Sequence, residues 1–144
     1  MNVAVSFNQL GLAYSRVGDD ERAVAAFLDG LKLDPKRCEL LSNLSMLYKQ
    51  LGMHDLSRST ALQCDISSPL FMQTVGAEQY AAYLNNLGTI ELESGNAKVA
   101  HESFVKALES LPGGQINPSY SIIANNIDLA MKRILEDARI VEGQ

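Results

Sequence analysis

Four short phrases recur along this chain of 144 residues: NQLG at 8–11, SNLS at 42–45, NNLG at 85–88 and NNID at 125–128. Each sets Asn or Gln beside Leu or Ile within a stretch of helical apolar spacing. Asn is a poor residue for a helix interior, because its side chain competes for backbone hydrogen bonds. A carboxamide offers one acceptor and two donors, which matches the C=O and N–H of a peptide unit. Amides at one phase of successive helices therefore suit the holding of an extended chain by its backbone.

Other chemistry is thinly supplied. His54 and His101 lie far apart and belong to no metal-binding spacing. Gly113-Gly114 is a loop pair rather than a phosphate cradle. Glu91 and Glu93 are expected to be solvated, without the burial that tunes a carboxylate for acid–base work. Cys38 and Cys64 have neither metal nor redox spacing. They read as free thiols in a reducing compartment, with a disulfide as the alternative, so the cytoplasm is the expected location. No catalytic residue, cofactor or metal is expected.

Composition narrows the function further. A hydrophobic content of 47% is that of a folded chain with a core. Seventeen acidic against 12 basic residues give a net charge of −5, the wrong sign for phosphate binding and nucleic acid. No apolar run is long enough to span a bilayer. The opening MNVAVSFNQL lacks the basic stretch and cleavage site of a secretory signal.

The elements that carry the amides repeat with a fixed period. Tyr14 and Tyr48, Leu10 and Leu44, Gly18 and Gly52, and Pro35 and Pro69 are each 34 residues apart. Gly95 and Pro112 continue the pattern after extra residues that are expected within 71–80. The units run over about 4–37, 38–71 and 81–114, each as a helix, a Gly turn and a second helix. Small Gly11, Ser45 and Gly88 are expected where two helices cross closely, while Leu10, Tyr14 and Phe27 fill the space between units. Asp20, Asp55 and Asn96 offer side-chain acceptors near the start of the second helices. Each Pro stops a unit. Asn117-Pro118 then opens a long helix over about 118–141, with Ile123, Ile127, Ala130, Met131 and Ile134 on one face. It is expected to cap the third unit.

These residues resemble the tetratricopeptide (TPR) repeat, whose pattern is W-x2-L-G-x2-Y…A-x3-F…P. Unit one supplies Phe7, Leu10, Gly11, Tyr14, Ala23, Phe27 and Pro35. Unit three supplies Leu84, Leu87, Gly88, Ala100, Phe104 and Pro112, with Glu91 in the Tyr place. Unit two departs at Ser57 and Ala61. The resemblance implies an all-α fold, a right-handed superhelix of stacked antiparallel helix pairs, as one domain over 1–144. It also implies a protein-interaction module that binds an extended peptide in a concave groove lined by the first helices. Groove candidates are Asn8, Gln9, Leu12, Arg16, Ser42, Asn43, Met46, Lys49, Asn85, Asn86 and Thr89, then Asn125, Asn126, Leu129 and Arg133.

Within that groove Gln9, Asn43, Asn86 and Asn126 resemble the asparagine ladder of O-GlcNAc transferases and kinesin light chains. A second TPR mode, the carboxylate clamp for chaperone C-termini, uses Lys, Asn and Arg at positions that here carry Asn8, Leu12, Asn43, Ala82 and Asn86. Only Asn43 fits, so an acidic C-terminal ligand is not expected. Three alternatives stand beside the peptide module. They are the substrate-recognition region of a larger enzyme such as a glycosyltransferase, a small secretion chaperone, and self-association through the last helix at Ile140 and Val141.

Overall fold

The computed structural model describes residues 2–144, apart from the side chain of Pro69. The described residues form eight α-helices and no strand: α1 (Val3–Arg16), α2 (Asp20–Leu33), α3 (Cys38–Gln50), α4 (His54–Ala61), α5 (Pro69–Val75), α6 (Ala77–Glu93), α7 (Ala97–Ser110) and α8 (Tyr120–Glu142). A short 3-10 turn, Gly114–Ile116, precedes α8. The chain divides into two compact units, Met1–Asp65 and Ile66–Gln144.

The helix boundaries follow local chemistry. Asn2 caps α1 by accepting from the Ala4 amide at 2.9 Å. The first helices α1, α3 and α6 all end alike. Gly18, Gly52 and Gly95 sit at φ of 79°, 75° and 87°, a region that costs Gly little. The next amides, Asp19, Met53 and Asn96, reach back to the carbonyls of Tyr14, Tyr48 and Glu91, which closes each helix by the Schellman pattern. The cap of α2 is Asp19, accepting from Arg22 N, rather than Asp20. Asn96 stands at the N-cap of α7 but makes no side-chain cap bond there; its amide donates to Glu91 at 2.6 Å.

In the first unit Ala23, Phe27, Leu40, Leu44 and Leu47 form the core. A Cβ placed on Gly11 would stand 2.5 Å from the Phe27 ring, so the close crossing expected of this glycine is met. Leu10 is exposed, unlike Leu44, and does not fill the interior expected of it. In the second unit Leu84, Phe104, Leu111, Ile123 and Ala130 form the core. Gly88 there repeats the crossing, 2.5 Å from the Phe104 ring.

The hairpin α3–α4 is built differently. Ser45 and Ser57 are both buried, and the Ser57 hydroxyl donates to the Ser45 carbonyl at 2.7 Å. Ala61 supplies no ring to bury, and α4 stops there after eight residues. Cys38 and Cys64 form a disulfide with their Cα atoms 5.0 Å apart, which corrects the free-thiol expectation. An antiparallel hairpin brings the start of its first helix beside the end of its second, and the shortness of α4 leaves Cys64 at that point. Pro69, expected to end the second unit, instead opens α5. Much of the extra sequence is thus a helix, held to α6 by Phe71, whose ring lies 6.2 Å from that of Tyr80 and 5.6 Å from that of Tyr83.

Candidate functional site

The recurring amides lie on the first helices, and each unit brings two of them into contact. In the first unit Asn43 Nδ2 on α3 donates to Asn8 Oδ1 on α1 at 2.8 Å. Asn8 Nδ2 donates in turn to Glu39 Oε1 at 3.0 Å. Asn8, expected to face an open groove, is fully buried. It is a corrected assignment: its amide serves as the internal partner that fixes Asn43. Glu39 is further held by Arg37, with Nε 3.9 Å from Oε2, and Arg37 also meets Asp34 at 3.2 Å.

The second unit repeats the arrangement. Asn126 Nδ2 on α8 donates to Asn85 Oδ1 on α6 at 2.9 Å. In both units the donor is the amide at the second position of its phrase, and the acceptor is the amide at the first position of the preceding phrase. Asn43 and Asn126 are half-buried, and each keeps an amide oxygen and a second N–H beyond its paired hydrogen. Each of these two is held in a fixed orientation by a neighbouring helix.

The remaining candidates separate by environment. Gln9 and Arg16 are exposed, and Met46, Lys49, Asn85 and Asn86 are half-buried. Leu12 packs against the first unit's core, which corrects its assignment to the open face. The Thr89 hydroxyl is spent on its own helix, donating to the Asn86 carbonyl at 2.8 Å. Asn125 is exposed, as is Leu129. Arg133 faces Glu136 at 3.8 Å across one helical turn.

A cleft of about 260 Å³ lies beside the Asn85–Asn126 pair, between α6 and the start of α8. Its walls include Glu78, Asn85, Asn86, Ser119 and Ile122. Sequence reasoning missed Glu78 and Ser119, because they fall outside the repeated phrases. A larger groove of about 630 Å³ runs between the start of α7 and the last turns of α8, past Val99, Ile134 and Val141.

Glu91 is buried, contrary to the expectation of a solvated carboxylate. It occupies the Tyr place of its repeat, and its Oε2 accepts from Asn96. That bond joins the end of α6 to the start of α7, a structural use of the carboxylate. Among the described residues no group of three or more His, Cys, Asp or Glu side chains is placed to hold a metal ion. No helix of the described residues is long and apolar enough to cross a membrane.

Repeated helical hairpins with a Gly–Phe crossing, closed by a further helix, define the class. Residues 4–37 match the tetratricopeptide repeat family model, so the chain carries a TPR repeat, and its all-α fold is that of solved TPR domains. The Sgt2 TPR domain from Aspergillus fumigatus is 18% identical, with a TM-score of 0.76 over 96% of this chain and 83% of that one. The first TPR of Spaghetti (RPAP3), solved bound to the HSP90 peptide SRMEEVD, is 16% identical, with a TM-score of 0.72 over 92% of this chain and 93% of that one. An O-GlcNAc transferase of Thermobaculum terrenum is 21% identical, with a TM-score of 0.68 over 89% of this chain and 22% of that one. Comparison with curated protein sequences finds no match.

Proposed function

We propose that this chain is a protein-interaction module that holds an extended peptide segment against the first helices of its repeats. The observation that carries the reading is the twice-built amide pair, Asn43 on Asn8 and Asn126 on Asn85. A helix interior tolerates Asn at a cost of a few tenths of a kcal/mol. Pairing across helices orients the amide before any ligand arrives, which lowers the entropy lost on binding. The unspent oxygen and N–H of each donor match the N–H and C=O of a peptide backbone. Asn86 and Gln9 extend the same face within their own units.

The RPAP3 domain above carries an acidic peptide, but the ligand of this chain is of another type. At the clamp positions it has Asn8, Leu12, Asn43, Ala82 and Asn86, with no Lys or Arg among them. Asn8 is already bonded to a carboxylate, Glu39. We assign no residue a catalytic role.

Selection of binders from a random decapeptide display library, followed by fluorescence anisotropy on the enriched peptides, tests the reading. Asn43→Ala and Asn126→Ala are expected to weaken binding by about 1–3 kcal/mol each where the amide is desolvated by the ligand. Both variants should keep the helical circular dichroism of the parent. Unchanged affinity in both would remove the amides from the site, and a failure to enrich any peptide would count against the module itself.

A further inference from the structure

The cleft beside the Asn85–Asn126 pair has a chemistry that the amides alone do not explain. Leu111, Ile122 and Ile123 give it an apolar wall, while Glu78, Gln79 and Asn85 supply polar groups. No Lys, Arg or His lines it. Among the described residues Glu78 makes no ion pair, whereas Glu39 in the first unit is occupied by Asn8 and Arg37. Ile122 remains 58% exposed on the outer wall, so apolar surface lies open next to an unneutralised carboxylate.

A guest that satisfies both surfaces must be apolar along its length and cationic at its tip. Lysine and arginine have this form, since their methylene stems lie along apolar walls while the charged head reaches a polar group. An acidic guest would meet Glu78 with like charge. An aliphatic guest would cover the wall but strip water from the carboxylate without replacing it. A guanidinium or ammonium head also finds the carbonyl oxygens of Gln79 and Asn85 as further acceptors.

We infer that the cleft between α6 and α8 is a side-chain pocket for a basic residue of the bound segment. This rests on the peptide-binding reading and narrows it: the ligand carries a Lys or Arg where its backbone passes the Asn85–Asn126 pair.

The test uses single capped amino acids, so that it does not depend on finding the natural ligand. Nα-acetyl methylamides of arginine, lysine, norleucine and glutamate are titrated at millimolar concentration into the 15N-labelled chain. Arginine and lysine are expected to move the backbone resonances of residues 78–86 and 119–123, with norleucine and glutamate weaker. Glu78→Gln, at an exposed position, should weaken the basic probes about five-fold and leave norleucine unchanged. Norleucine binding as tightly as arginine, or no shift in the cleft with any probe, overturns the pocket. Library peptides that bind through Asn43 and Asn126 yet lack any basic residue would overturn it too, while leaving the peptide-binding reading intact.

Discussion

Two hairpins of this molecule close the same kind of crossing by different means. In α6–α7 a glycine admits an aromatic ring, Gly88 against Phe104, and α7 runs for 14 residues. In α3–α4 a serine occupies the glycine place, and a hydroxyl-to-carbonyl bond replaces the ring. There α4 has only eight residues, and a disulfide ties its exit to the start of α3. Burial of a ring is collective and spreads over many neighbours. A hydrogen bond and a covalent link act at points, and they tolerate a shorter helix.

The contrast can be broken most severely at the ring. Phe104→Ala is expected to cost about 3–5 kcal/mol, read by urea denaturation, with Phe27→Ala similar in the first unit. Next comes the link. Cys64→Ser, or reduction of the parent, should cost about 3.5 kcal/mol by the chain-entropy relation for a loop of this size. Hydrogen exchange should locate that loss in residues 38–61 and leave 97–110 protected. If reduction instead loosened α7, the division of labour between the hairpins would be wrong. The hydroxyl is a smaller matter: Ser57→Ala should cost about 1 kcal/mol. Smallest is the cap, where Asp19→Ala should remove about 1 kcal/mol or less from α2, a loss measurable as a lower Tm.

What the sequence made legible is uneven for physical reasons. The close crossings at Gly11 and Gly88 were readable because a small residue recurs at that place in the repeat, but their ring partners were not: Phe27, expected between units, lies against Gly11 itself. The Gly turns were readable because their backbone conformation excludes most other residues. The disulfide was not, since it depends on where α4 stops, and α4 stops early because Ala61 has no ring to bury. The amides were found by their phase, but not their pairing. A bond from Asn43 to Asn8 requires the two helices to sit one residue out of register, which spacing along a single chain does not reveal. Glu78 was hidden because α6 begins a turn earlier than the repeat pattern expects.

The Cys38–Cys64 bond has a consequence for how this chain can be damaged. It closes residues 38–64 into a covalent ring that contains the turn after α3 and the whole of α4. A protease that cuts after the exposed Arg58 would open the ring without dividing the molecule. The nicked chain would run as one species on a non-reducing gel and as two fragments once reduced. The hairpin of α3 and the eight-residue α4 is therefore one that a single cut between its two cysteines cannot sever.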